Sequence, residues 1–113
     1  MAYKIKSRIW IEVDGNILLG EGRIRLLKAI QDLGSLSKAA RSLDMSYKKA
    51  WNLIDSINKN AKKPVVTKTI GGKGGGGATL TPHGEELVSI FRKINNNCWK
   101  FLDSELETLN VNK

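Results

Sequence analysis

The chain has 113 residues, the length of a single domain. Hydrophobic residues make up 41% and charged residues 27%, enough to bury a modest core, which excludes a disordered tail and a multidomain enzyme. Lys plus Arg number 19 against 11 Asp plus Glu, a formal +8 that points to a polyanionic partner, either nucleic acid or an anionic membrane.

Residues 3 to 13 alternate. Tyr3, Ile5, Ile9, Ile11 and Val13 fall on one side, and Lys4, Lys6, Arg8, Trp10 and Glu12 on the other. This period of two predicts a half-buried strand. Asp14-Gly15 supplies the positive φ angles of a tight hairpin turn, with Asn16 to Leu19 as the return strand. From Gly20 the spacing lengthens. Ile24, Leu27, Ala29, Ile30 and Leu33 predict a first helix stopped by Gly34. Ser35 caps a second, Leu36 to Leu43, which turns Leu36, Ala39, Ala40 and Leu43 inward. Asp44 then takes a left-handed turn. Ser46 caps a third helix to about Asn60, with Ala50, Leu53, Ile54 and Ile57 as its inner stripe.

Pro64 closes this helical region. Val65 to Ile70 and Ala78 to Thr81 read as strands, joined by the run Gly71 to Gly77. A phosphate-cradling loop needs Gly-Lys followed by Ser or Thr at the start of a helix, and here Lys73 is followed by Gly74 and then a strand. The run is therefore read as a hairpin tip, or wing, able to approach a sugar-phosphate backbone closely, with Lys68 and Lys73 adding charge. Thr81 caps a long last helix that opens at Pro82. Leu87, Ile90, Phe91, Ile94, Cys98, Phe101, Leu102, Leu106 and Leu109 form its apolar stripe.

The second and third helices meet the requirements of a DNA-reading helix-turn-helix: a small residue (Ala40), a turn residue four places on (Asp44), and a buried set of Ala39, Leu43, Met45, Ala50 and Leu53. At about 100° per residue, Lys48, Asn52 and Lys59 lie opposite the buried stripe of the third helix. Tyr47, Lys48 and Lys49 stand in its first turn, where a recognition helix meets base edges. Asn binds adenine through two hydrogen bonds and Lys reaches guanine or phosphate, while Ser46 offers a hydroxyl and a helix N-terminus to phosphate. Trp51, at the flank of the stripe, reads as a packing residue rather than a stacking one. Charge distribution agrees. Met1 to His83 hold 15 basic and 6 acidic residues, whereas Gly84 to Lys113 hold 4 and 5.

The whole order of elements describes a mainly α protein with small β elements (α+β): a winged helix-turn-helix with an N-terminal hairpin, a Gly-rich wing and a long C-terminal helix. Residues 1–81 form the body and 82–113 the terminal helix, within one structural domain. Some 28 residues at about 1.5 Å each span roughly 42 Å, more than a body of about 30 Å. The distal stripe would then be wet in a monomer, and pairing with a second copy is the simplest remedy. Ile94, Cys98, Trp99, Phe101, Leu102 and Leu106 are the interface candidates. A break at Asn95-Asn96-Asn97 that folds the helix back is the alternative.

Other residues suggest no chemistry. His83 suits a surface or capping role, and Cys98 a small core residue. Glu85 and Glu86 favour the helix dipole. One Cys excludes an internal disulfide and fits a reducing cytosol; with one His, a His/Cys metal site within the chain is disfavoured. No run of 18 apolar residues and no apolar signal core in Met1 to Lys6 are present, so a cytoplasmic chain with no membrane partner is expected.

Four segments occur in order: Gly34-Ser35-Leu36-Ser37-Lys38-Ala39-Ala40, Met45-Ser46-Tyr47-Lys48-Lys49-Ala50-Trp51, Gly71-Gly72-Lys73-Gly74-Gly75-Gly76, and Leu80-Thr81-Pro82-His83-Gly84. Together they resemble the N-terminal DNA-binding domain of molybdate-responsive, ModE-type transcriptional regulators. The similarity to LysR-type regulators is looser. The resemblance covers Ile9 to about Leu109. It implies a bacterial or archaeal regulator that dimerises through its terminal helices. Its matching recognition-helix positions are Ser46, Tyr47, Lys48 and Lys49, and its wing positions Gly72, Lys73 and Gly74. The family's molybdate-binding modules follow the DNA-binding domain, and the sequence ends at Lys113, so no molybdate or other cofactor is expected here and the effector is unassigned. The expected function is therefore sequence-specific regulation of double-stranded DNA by a homodimer. The alternatives are a winged-helix protein-interaction module and a non-specific architectural or RNA-binding protein.

Overall fold

A computed structural model describes residues 2–69 and 77–111. The chain runs β1 (Trp10–Val13), β2 (Asn16–Gly20), α1 (Glu21–Leu33), α2 (Leu36–Ser42), α3 (Tyr47–Asn60), β3 (Val66–Lys68), β4 (Ala78–Leu80) and α4 (Pro82–Val111). β1 with β2 and β3 with β4 form two separate antiparallel ribbons. This is the expected mainly α, winged helix-turn-helix arrangement.

Asp14 (φ 49°) and Gly15 (φ 82°) make the two-residue turn of the first ribbon, with Val13 opposite Asn16. Its strand is shorter than the alternation over residues 3–13 predicts. The return strand has only five residues before α1 begins at Glu21, so it can pair no further back than Trp10, opposite Gly20. Alternating burial nevertheless continues back to Ile5. A bulge at Leu18, between the pairs Ile11–Leu19 and Glu12–Ile17, turns Leu19 fully into the core.

α1 packs against α2, β2, β4 and α4. With that many neighbours Leu26 is buried as well as Leu27 and Ile30, which a single-stripe reading does not anticipate. Leu33, expected inside, is exposed, because Gly34 (φ 66°) takes the chain away immediately after it. The core closes around Leu19, Leu26, Leu27, Ile30, Ile54, Ile57 and Val65, all fully buried. The strand expected over Val65 to Ile70 pairs only at Val66–Lys68.

α4 is unbroken through Asn95, Asn96 and Asn97. Three Asn residues cost about 2 kcal/mol of helix propensity together, too little to break a helix tied into the core at Val88 and Phe91. The molecule measures 62 × 29 × 22 Å, so the distal half of α4 overhangs the body.

Candidate nucleic-acid interface

The bend between α2 and α3 is made by backbone and caps. Ser35 Oγ accepts from Lys38 N (3.2 Å) at the start of α2, and Ser46 Oγ from Lys49 N (3.1 Å) at the start of α3. Between them Met45 N and Leu43 N both donate to Ala40 O (2.9 and 3.1 Å), and Asp44 adopts φ 53°. Ala39 and Ala40 are buried where the helices cross, so no side chain holds the pair apart. Ala50, Ile54 and Ile57 are buried on the inner side of α3, which leaves Lys48, Asn52 and Lys59 on the outer side, all exposed.

Two contacts bracket that outer face. On the α1 side, Arg23 donates to Ser56 Oγ at 3.1 Å. Arg23, Ser46, Lys48, Lys49, Asn52, Leu53 and Ser56 line one open groove. Partial burial lowers the Arg23 pKa from its ordinary value, by desolvation, and still leaves the guanidinium a cation. On the wing side, the Lys68 ammonium stands 4.2 Å from the centroid of the Trp51 ring. A cation–π contact at an exposed site is worth about 0.5–1 kcal/mol, and an ammonium with three N–H donors can keep it while another donor reaches a phosphate.

The wing strand is tied to the recognition helix by Asn58. Its Oδ1 accepts from Val65 N (2.8 Å) and Val66 N (3.1 Å), and its Nδ2 donates to Val66 O (3.0 Å). At the other end of the ribbon, Ala78 N donates to Gly34 O (3.1 Å). Both wing strands therefore hang from helices of the body. Thr81 Oγ1 accepts from Gly84 N (3.0 Å) and caps α4, as its place before Pro82 predicts.

The structure thus brings Ser46, Lys48, Lys49 and Asn52 together in one groove. Tyr47 is 55% exposed beside them, with Lys68 one step further towards the wing. Gly72, Lys73 and Gly74 lie outside the described residues. Trp51 does not pack in the core; it is 40% exposed and its partner is Lys68. Arg23, Ser56 and Asn58 are additions to the residues singled out from sequence. Arg23 follows a glycine in the first turn of α1, and no local pattern announces that it reaches across to α3. Lys59 Nζ is 3.9 Å from Asp55 on the same helix, an exposed pair of little energetic weight. His83 Nδ1 stands 3.6 Å from Glu86 in the first turns of α4. Among the described residues, no group of three His, Cys, Asp or Glu could hold a metal ion.

Residues 22–85 match the family described as bacterial regulatory helix-turn-helix protein, lysR family. The chain belongs to that family. The matched span of this lysR-type chain begins one residue before Arg23 and includes α2, the turn, α3, the wing strands and the capped start of α4; the N-terminal ribbon and most of α4 lie outside it. The chain is 38% identical over 109 residues to the molybdenum transport protein ModE of Azotobacter vinelandii, covering 96% of this chain and 40% of that protein. It is 44% identical over 93 residues to the molybdenum-pterin-binding protein MopB of Rhodobacter capsulatus, covering 82% and 34%. With the DNA-binding transcriptional dual regulator ModE of Escherichia coli strain K12 it shares 44% over 69 residues, covering 61% and 26%. The chain thus spans 40% or less of the length of these relatives.

On α4, Phe101 is 60% and Ile94 46% exposed, whereas Cys98, Trp99, Leu102 and Leu106 are half-buried. Cys98 Sγ lies 3.6 Å from Ser7 Oγ. The N-terminal segment therefore shields part of the stripe expected to be bare in a single chain, and Phe101 and Ile94 remain uncovered. No helix of the described residues is long and apolar enough to cross a membrane.

Proposed function

We propose that this lysR-type chain is a sequence-specific, DNA-binding transcriptional regulator that acts as a cytoplasmic homodimer and works by binding rather than by catalysis. The recognition helix, residues 46–60, enters the major groove and the wing, residues 71–77, follows the backbone. Body residues 1–81 make these contacts and the helix over 82–113 pairs two copies. The observation that carries the reading is the outer face of α3: Lys48 and Asn52 project from it at the mouth of a groove that also holds Ser46, Lys49 and Arg23.

The roles follow from the chemistry of each group. Asn52 presents one donor and one acceptor, which fit the N7 and N6 edge of adenine. Lys48 reaches guanine acceptors. Lys49, Lys68 and Lys73 meet phosphates, and Arg23 does so from the first turn of α1. Ser46 keeps its hydroxyl proton for a phosphate oxygen while its lone pair caps Lys49 N. Tyr47 donates its phenolic O–H to the backbone beside them, and Gly72 and Gly74 allow the wing to lie close. Because phosphate contacts position and base contacts specify, a duplex is held by the first set and chosen by the second.

The relatives' names join molybdenum to proteins of which this chain matches 40% or less. We read the part that this chain matches as their DNA-reading part, because the helix-turn-helix match lies within it, and no effector or cofactor is assigned to it. Two copies paired along α4 would read a palindrome with half-sites one or two duplex turns apart.

Selection from a random-sequence library, followed by affinity measurements on the selected duplex and its single-base variants, tests the proposal. The whole chain should recover one preferred site. Asn52→Ala should relax preference at one position by about 1–3 kcal/mol and leave the others unchanged. Equal losses on every sequence would reject base reading by Asn52. Recovery of no preferred duplex would reject the function and favour a protein-interaction module.

A further inference from the structure

Tyr47 and Trp51, one helical turn apart, are the aromatic residues of α3, and both are substantially exposed. Neither belongs to the stripe of Ala50, Ile54 and Ile57 that anchors the helix. At about 100° per residue, Trp51 lies roughly 60° around the helix from Lys48 on the wing side, while Asn52 lies roughly 40° on the other side. The ring is thus at the border of the face that carries the two base-reading side chains. Lys68, from β3, covers one face of the indole with its ammonium at 4.2 Å. Asn58 in turn fixes the start of that strand through its bonds to Val65 and Val66. The ring is therefore in contact with a wing strand whose start is fixed.

An intact duplex shows a major-groove helix the edges of its bases and not their faces, so stacking is unavailable to this ring. The apolar feature on those edges is the thymine C5 methyl group, which apolar side chains contact. We propose that Trp51 is a base-reading residue whose ring meets the C5 methyl of a thymine next to the base pairs contacted by Lys48 and Asn52, and that Lys68 sets the ring's orientation from the wing. The inference rests on the placement of α3 in the major groove argued above. Lys68 acts through Trp51 and through phosphate, so it is a positioning residue; Trp51 touches the base.

Single thymine-to-deoxyuridine replacements through the selected duplex remove one methyl group each and alter no hydrogen bond. With the full chain, one or two positions per half-site should lose about 3–10-fold in affinity, the scale of one buried methyl group. Trp51→Ala should bind the parent duplex more weakly and show no further loss at those positions. Trp51→Phe should keep part of the sensitivity. Because the indole is not among the buried core residues, circular dichroism of both variants should match the parent, and the melting temperature of Trp51→Ala should fall by only about 2–6 °C for the lost contact to Lys68; if Trp51→Ala does not fold, the parent profile and Trp51→Phe decide. A flat deoxyuridine profile, a selected half-site without thymine, or the same position-specific loss in a folded Trp51→Ala variant overturns the inference alone. A library that yields no preferred duplex overturns the DNA-reading function together with it.

Discussion

Gly84 lies so close to the Val65 carbonyl oxygen that a Cβ at residue 84 would overlap it. The same oxygen accepts from Thr81 N at 2.9 Å, and Thr81 Oγ1 donates to the neighbouring Pro64 carbonyl oxygen at 2.7 Å, so this stretch of backbone is held against the start of α4 by two bonds. The contact sets where the long helix leaves the body. It also joins the wing strand to the terminal helix without an intervening side chain.

Gly84→Ala therefore has an expected sign opposite to the usual one. Within a helix, Ala in place of Gly gains about 0.5–1 kcal/mol. Here, forcing a methyl group against fixed backbone costs about 1–3 kcal/mol, and the steric effect wins. Thermal unfolding should show a melting temperature lower by about 5–10 °C, the shift expected for a net loss of 1–2 kcal/mol in a chain of this size. An unchanged or raised melting temperature would show that the helix start can shift freely.

Asn58 offers a second test. Its side chain satisfies two backbone N–H groups and one carbonyl at buried Val65 and Val66. Asn58→Ala leaves those donors without acceptors in a place that water reaches poorly, at about 1–3 kcal/mol each. Urea unfolding should report a loss of about 2–4 kcal/mol. The folded fraction should also bind DNA less tightly, because β3 and Lys68 would no longer be held beside α3. Full stability in the Ala variant would mean that water replaces the amide.

These two residues mark the limit of what was legible from sequence. The elements were visible because their causes are local: Ser35, Ser46 and Thr81 as caps, Gly34 as a left-handed stop and Asp44 as a left-handed turn. The outward placement of Lys48 and Asn52 follows from helical periodicity alone. Asn58 and Arg23 were not legible, since each acts on a partner from a different element. Asn58 falls beside Ile57 near the end of a helix, where an Asn has many ordinary uses. Trp51 reads as a packing residue from its place at the flank of the stripe, but its packing partner, Lys68, was not legible because it lies 17 residues away in the chain. The predicted first strand was too long because alternation reports facing and not the length of the partner strand.

Arg23→Met tests whether the α1 flank contacts the backbone. Met retains much of the aliphatic packing and removes the charge and the bond to Ser56. Affinity should fall about equally on preferred and unrelated duplexes. The slope of log affinity against log salt should decrease by about one unit, the signature of a single lost phosphate contact. A loss confined to the preferred duplex would instead make Arg23 a reader of base edges.

Phe101→Glu separates pairing from folding. Phe101 is 60% exposed in the single chain, so a charge there should leave the fold of that chain intact. In a pair of copies joined along α4 it would bury a carboxylate against an apolar stripe, at a cost large enough to dissociate the pair. Sedimentation should show two chains for the parent and one for the variant at equal concentration. Unfolding of the parent should also shift to higher temperature as concentration rises, while that of the variant should not. On DNA, the variant should hold a single half-site nearly as well as the parent does and lose most of the gain that the parent draws from a palindrome. A parent chain that sediments as one copy at all concentrations would remove the homodimer from the account, and Phe101 would then need another partner.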